Sequence, residues 1–339
     1  MKIIHLYIYN MSYVICILFP FLTISQNYQR VDSVEDLFAM FYNVENLFDT
    51  INSANTQDHE FLPNSEKKWN TYRYNYKLNQ LEKVFASIVE EHNNNNIPDI
   101  IGLCEVENKV VIKDLLRTPI FTNHNYTIIH QESPDGRGID CALLVDNQFE
   151  ILEYDFIVID NPDANRPTRD IVYAKLKLKE NLINIFVNHW PSRWGGQEET
   201  NQKRVFAANV LRDYINLNTS KDEYTLIMGD FNDYPSNESL EKVLVKDDLL
   251  NLMSTDLILG QGSYNYKGSW NWLDQIIISK NFTNSNMRLL SGGAFQKDFM
   301  LYTNKQGEVY PSRSFGGNTW YGGFSDHLPV YCRIGIISY

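Results

Sequence analysis

Positive charge is scarce in this 339-residue chain: 30 Lys and Arg stand against 42 Asp and Glu, a formal net charge of −12. A deficit of that size works against general adhesion to nucleic acid or anionic membrane, because phosphate-rich partners are repelled on average. It leaves room for a locally basic cleft, or for a cleft whose carboxylates are neutralised by a bound cation. Cysteine is scarcer still, with four residues, one of them (Cys16) in an apolar N-terminal run. Cys104, Cys141 and Cys332 are odd in number, widely spaced and set in strand-like runs. Buried thiols are expected; one disulfide with a spare thiol is the alternative, and the spacing does not suit a zinc site. No internal repeat and no long Pro/Ser-rich linker interrupts the chain, so residues 31–339 read as one domain.

Long apolar runs are also missing beyond the first 25 residues, where nothing approaches the roughly 18 consecutive apolar residues of a bilayer span. Within residues 1–25, Lys2 and His5 are the only basic-type side chains, an apolar run goes from Tyr13 to Ile24, and Thr23-x-Ser25 supplies small residues before Gln26. That layout predicts a cleaved signal peptide and a secreted or periplasmic chain with no lasting membrane partner. An uncleaved anchor is the alternative, and a start at Met11 would shorten the leader without removing it.

What the chain has is strand-forming sequence, with 21 Tyr and 18 Phe. Asp36–Val44 and Pro98–Val106 read as buried strands. Between them Leu78, Leu81, Phe85 and Ile88 recur at helical spacing and predict a helix from Arg73 to Glu91, and Asn108 is placed to cap a short helix ending at Leu116. Strand-like runs follow at Tyr126–Glu132, Ile139–Val145, Glu153–Asp160, Asp170–Leu178 and Leu182–Trp190. A helix over Glu198–Ile215 precedes late strands at Tyr224–Asp233, Trp272–Ser279 and Leu328–Ile334. Strands dominate and helices fall at irregular intervals, which predicts two packed sheets covered by helices.

One pattern recurs: apolar strands end in a carboxylate, an amide or a histidine. Asn43 follows AMFY, Glu105 follows DIIGLC, Asn188 and His189 follow LINIFV, and Asp230 and Asn232 follow YTLIMG. Asp274 opens QIIIS, and Asp326 and His327 precede LPVYC. Any one of these is ordinary turn chemistry. Together they hold no Ser or Cys in a nucleophile setting, but they do hold the oxygen donors that a hard divalent cation takes and histidines for proton transfer.

The segments FYNVENLFD, GLCEVENK, RGIDCALLV, VNHWPSR, GDFND, WLDQIIIS and FSDHLPVY resemble, in order, the motifs of the endonuclease/exonuclease/phosphatase superfamily, over Phe38 to Ile334. Its members include secreted deoxyribonucleases, abasic-site endonucleases, sphingomyelinases and inositol-polyphosphate phosphatases, and this chain is most similar to exported bacterial members. The resemblance implies an α+β fold, a four-layer α/β/β/α sandwich of two packed mixed sheets flanked by helices. It implies Glu105 as the principal metal carboxylate, with Asn43 beside it and Asp326 a further ligand, for Mg²⁺ or alternatively Mn²⁺ or Ca²⁺. His327 would contact the scissile phosphate and carry a proton, held by Asp274. Asp230 would orient or deprotonate water, and Asn232 would bond a phosphate oxygen. His189 is the second histidine, with Glu132 as its carboxylate partner; Arg137 and Asn188 are substrate contacts. The glycines before Ser325 are expected to let the chain pass close to a phosphate.

Other residues stay open. Glu45 is either a second metal carboxylate or a loop residue, and Arg193, Lys203 and Arg204 are either a basic rim near His189 or a solvated helix start. Trp190, Trp194, Trp270, Trp272 and Trp320 lie near motif residues, with core packing the safer assumption for at least half. Val106-Glu107 follows Glu105 where a groove-entering arginine is expected in the deoxyribonuclease branch, which argues against tight duplex binding. The expected activity is that of an exported, monomeric, divalent-metal-dependent phosphoesterase, a nuclease or phosphodiesterase on a phosphoester substrate such as DNA or RNA. A phosphomonoesterase or phospholipid-head-group hydrolase on the same site is the alternative, and an inactive binding protein is a third reading.

Overall fold

The computed structural model describes residues 33–54, 56–91, 97–254, 261–283 and 285–338. The expected leader, residues 1–25, lies outside them. Twelve strands build two six-stranded sheets: β1 (Ser33–Leu47), β2 (Ile100–Val106), β3 (Tyr126–His130), β4 (Asp140–Asp146), β5 (Glu150–Ile157), β6 (Ile171–Leu178), β7 (Asn181–His189), β8 (Tyr224–Asp230), β9 (Leu249–Asn251), β10 (Asp274–Ser279), β11 (Met287–Ala294) and β12 (Val330–Ser338). The first sheet runs β11-β12-β1-β2-β4-β3 and the second β5-β6-β7-β8-β10-β9. Each is antiparallel except for one central parallel pair, β1 with β2 and β7 with β8.

A parallel pair needs a crossover, and a helix supplies each. Helix α1 (Thr71–Glu91) joins β1 to β2, and α3 (Gln197–Asn218) joins β7 to β8; α2 (Lys109–Leu116) follows β2. Asn108 caps α2 as expected, its side-chain oxygen accepting from the backbone N–H of Val110 and Val111.

Alternation along the strands separates three cores. Leu37, Ala39 and Phe41 of β1 face the second sheet, as do Ile185 and Val187 of β7, Leu226 and Met228 of β8 and Ile276 of β10. The intervening Phe38, Met40 and Tyr42 pack with Leu81 and Phe85 of α1. On the other outer face Phe186 and Ile227 pack with Ala208 and Leu211 of α3. The four-layer sandwich is therefore present, helices outside and sheets within. The sheets meet closely at Gly102, where an added Cβ would lie 2.7 Å from Met228 Sδ.

Among the described residues no helix is long and apolar enough to cross a membrane. Cys104, Cys141 and Cys332 are buried free thiols, as their apolar surroundings predicted. Strand β11 was not expected, because MRLLSGGA carries two glycines and no unbroken apolar run. It joins an edge, where backbone pairing with β12 suffices.

Candidate active site

Strands β1, β2, β7 and β8 all finish, and β10 begins, at one end of the sandwich. Register brings their terminal residues side by side: His189 pairs with Asp230, and Asp230 with Asp274. By alternation Asn43, His189, Asp230 and Asp274 share the face of Phe41, Val187, Met228 and Ile276, the inner face.

Glu105 departs from that rule. Its position would send it outward toward α1, but the β2 register shifts between Cys104 and Val106 and Glu105 takes φ +61°. This bulge re-aims the carboxylate toward the opposing sheet, where Oε1 lies 4.0 Å from His189 Nε2. Glu45, Asn46 and Asn232 also have positive φ, at 51°, 52° and 50°, so backbone strain gathers where the strands end.

Asp230 is the hub. Its Oδ2 accepts from Asn43 Nδ2 at 3.0 Å and its Oδ1 from the Asn232 backbone N–H at 2.9 Å. His189 Nε2 stands 3.7 Å away and His327 Nε2 3.8 Å. Burial pushes the Asp230 carboxyl up to about 6, with the His327 charge pulling the other way. His327 Nδ1 lies 2.6 Å from Asp274 Oδ2, and the neighbouring Ser325 hydroxyl accepts its backbone N–H while donating to Asn43 O. Burial alone would lower the affinity of His327 for a proton, but Asp274 and Asp230 outweigh it and raise it well above the ordinary histidine value.

The second histidine has the opposite character. His189 is buried, its Nδ1 lacks a hydrogen-bond partner, and burial together with Arg169 and Arg137 holds its pKa well below the usual value. The expected partnership with Glu132 is absent: Glu132 lines a separate cleft with Glu107 and Asn108. The two histidines are thus pushed in opposite directions, His189 away from the protonated form and His327 toward it.

Asn188 needs correction as well. Successive strand residues point to opposite faces, so it cannot share the site with His189. It turns toward α3, donating to Met228 O at 3.3 Å and accepting from Trp190 Nε1 at 3.1 Å, and its role is structural. Arg137 sits at the rim, its Nε 3.5 Å from Asp135, near enough for its charge to act on both Glu105 and His189. Asn232 donates one amide hydrogen to Trp190 O at 3.1 Å and keeps the other.

The residues around Glu105 form an acidic store. One Glu105 oxygen accepts from the Asn46 N–H at 2.9 Å, and burial and the charge of Asp326 raise its pKa. Asp326 also pairs with Arg313 Nη2 at 2.6 Å. Asn43 Oδ1 accepts from the Glu45 N–H at 3.0 Å, leaving one lone pair. Asp230, Asp274 and His327 offer ligand atoms within 4.8 Å of one another, with His327 Nδ1 hydrogen-bonded to Asp274 and its Nε2 turned to Asp230.

Residues that the sequence left open, and one that it did not single out, take definite places. Glu45 is buried, accepts from the Ser314 N–H at 2.7 Å and is pushed by burial up to about 7. Beneath it the fully buried Lys77 lies 3.7 Å away and donates to Ser314 Oγ at 2.9 Å and to Phe324 O. A signal existed: Lys77, Leu81, Val84 and Ile88 share one helical stripe, and a lysine on a core stripe asks for an acid. Arg193 and Arg204 converge on Asp233 at 3.1 and 2.8 Å, fixing the loop that carries Asn232; neither is a solvated rim. The glycine run is also reassigned. A Cβ on Gly323 would lie 2.1 Å from Ser312 O, so the close approach is to the chain's own backbone.

Residues 38–335 match the Endonuclease/Exonuclease/phosphatase family. The chain belongs to that family of phosphoric-ester hydrolases. Solved structures agree on the fold. An endonuclease/exonuclease/phosphatase family protein from Bacteroides thetaiotaomicron superposes with a TM-score of 0.57 at 16% identity, covering 90% of this chain and 100% of its own. A mannosyl-6-phosphatase from the same organism gives 0.56 at 18%, covering 88% and 99%. TDP2 from D. rerio, complexed with single-strand DNA product, gives 0.56 at 14%, covering 88% and 98%. Comparison with curated proteins gives no match.

Proposed function

We propose that this family member is an exported, divalent-metal-dependent phosphodiesterase or nuclease that cleaves a P–O bond by attack of water. The observation that carries the reading is the His327 ring held between Asp274 at 2.6 Å and Asp230 at 3.8 Å, opposite Glu105. A donor set made of carboxylate and amide oxygens suits a hard cation, and the raised pKa of Glu105 marks a carboxylate that gains by one. Glu105, with Asn43 and Asp326 beside it, would hold Mg²⁺, which when bound offsets charge on the phosphate oxygens. Mn²⁺ and Ca²⁺ are the alternatives.

The chain's own residues supply the rest. Asp230 orients the attacking water and takes its proton as the new P–O bond forms. His327 gives its Nε2 proton to the leaving oxygen as the old bond breaks, while Asp274 holds the ring through Nδ1. Neutral His189 and the free amide hydrogen of Asn232 donate to non-bridging oxygens, and Arg137 adds positive charge from the rim. Export rests on the N-terminal leader pattern, and cleavage is tested by sequencing the N-terminus of the secreted chain.

The deciding experiment incubates the mature chain with plasmid DNA, a generic phosphodiester and a phosphomonoester, with Mg²⁺, Mn²⁺ or Ca²⁺ and with chelator, beside His327→Ala. Metal-dependent cleavage that chelator abolishes is expected. Turnover indifferent to both chelator and the His327 change would sink the mechanism. Preference for the monoester would move the reading to a phosphatase.

A further inference from the structure

Next to the site lies a second feature that shares only Arg137 with the hydrolytic residues. A cleft of about 500 Å³ is lined by Arg137, Arg166, Arg169 and Lys203, with Asp135 as its one acid and Trp194 on its wall. In a chain with twelve more acids than bases, four cations against one acid in a single cleft is a strong local reversal. Asp135 is already committed, accepting from Arg169 Nη1 at 3.0 Å and lying 3.5 Å from Arg137 Nε. Arg166 and Lys203 have no ion-pair partner among the described residues.

Trp194 is 88% exposed, the most exposed of the large apolar side chains among the described residues, and sits before Gly195 and Gly196 on the turn that opens α3. Exposure alone is ordinary for a surface side chain, but an indole on the wall of a cleft lined by four cations offers a flat face beside the charge that a phosphate needs. The cleft is also tied to the catalytic end through shared hydrogen bonds. Trp190 O, one residue beyond His189, accepts from Arg169 Nη2 at 2.6 Å and from Asn232 Nδ2 at 3.1 Å. Arg137 faces both spaces.

We propose that this cleft is a flanking subsite that takes a second phosphate and an adjacent planar ring of the substrate, as the nucleotide next to the cleaved bond of a single-stranded nucleic acid presents them. Arg166 and Lys203 neutralise the second phosphate, and Trp194 stacks on the ring, a contact indifferent to base identity. A single strand presents its phosphate with an unpaired base free to stack, which suits a cleft that pairs cations with one indole. The inference rests on the phosphoesterase reading for the position of the scissile phosphate, and its binding arm does not.

In the binding arm, a short single-stranded oligonucleotide is titrated into the full mature chain in chelator, following tryptophan fluorescence. Saturable quenching is expected, absent in Trp194→Phe and weakened at least tenfold in an Arg166→Glu/Lys203→Glu variant. That variant should also have a shallower dependence of log K on log salt, by about 1. In the kinetic arm, the same double variant should lose at least tenfold in kcat/KM on the oligonucleotide and less than twofold on a minimal phosphodiester. Unchanged oligonucleotide binding in the double variant, or equal losses on both substrates, overturns the subsite. Quenching by a sulfated polysaccharide but not by the oligonucleotide overturns the nucleotide assignment. Quenching without turnover of any substrate leaves the cleft standing and removes the hydrolytic reading; turnover of the minimal diester without oligonucleotide binding does the reverse.

Discussion

Strand β2 carries an acid at each end, Asp99 just before it and Glu105 within its last turn of chain, and burial raises the pKa of both. The resemblance stops there. Asp99 accepts from the Phe38 N–H at 2.7 Å and from Gln148 Nε2 at 2.6 Å, neutral donors. Glu105 sits on a strained bulge, faces Asp326 of the loop before β12 and Asp230 of β8, and has Arg137 and His327 as its compensating charges. A mostly buried carboxylate is therefore not in itself a site. What distinguishes the functional end is convergence: like charges from both sheets, held together by cations from outside the strands, on backbone that a relaxed strand would not adopt.

The largest expected effect breaks that comparison open. Glu105→Gln should lower kcat/KM by about a thousandfold or more, since it removes the principal cation ligand and the charge that transition-state neutralisation uses. Its thermal midpoint should hold or rise, because an acid crowded by Asp326 has been neutralised. Asp99→Asn should leave kcat/KM within a factor of two. Equal activity loss in the two variants would erase the distinction between the ends.

Next comes the cation beneath the site. Lys77→Met leaves Glu45 buried without its nearest positive charge, and Ser314 Oγ and Phe324 O lose a donor. Breaking a buried pair from one side costs about 3–5 kcal/mol. Urea unfolding should record a loss of that size, with partial recovery in Lys77→Met/Glu45→Gln. If the single change is silent, the acidic end is not balanced in the way its geometry implies.

Lys77 also marks where sequence reading ran out. Asn43, Asp230, Asp274 and His327 were legible because each ends or borders an apolar strand, and strand ends in a closed sandwich meet by register. Asn188 was misread for the same reason: chain position names a strand end, but the pleat decides which face it shares. Glu105 was found by its place after an apolar run, though its direction depends on a bulge that no local pattern announces. Lys77, Arg313 and Arg169 come from a helix and two loops far away in sequence. Only the packing of α1 and of the 312–326 segment onto the sheet end brings the first two in.

A smaller effect separates the two histidines. Asp274→Asn replaces the charged partner of His327 with a neutral one, and kcat should fall about 10- to 100-fold with KM little changed, because the ring loses its orientation and its held proton. His189 has no such partner to lose, so Glu132→Gln should change neither constant. An Asp274→Asn enzyme with kcat intact would mean that His327 acts only as a neutral donor.

The smallest effect returns to Asp99 and concerns stability alone. Its pKa in the folded chain, about 6, stands above the usual value of 3.8 because of burial. Between those two values the folded state holds a proton that the unfolded state has released, so stability falls as pH rises through the window and levels off above it. Asp99→Asn removes the titration. Its one oxygen still accepts from Phe38 N–H, and its amide can face the Gln148 carbonyl. The variant should therefore match the parent near pH 4 and exceed it by about 2 kcal/mol at pH 8, measured as the difference between urea midpoints at the two pH values. A gain that is the same at both pH values would place the effect in packing and remove Asp99 as the counterpart of Glu105, since the far end of β2 would then carry no buried charge to compare.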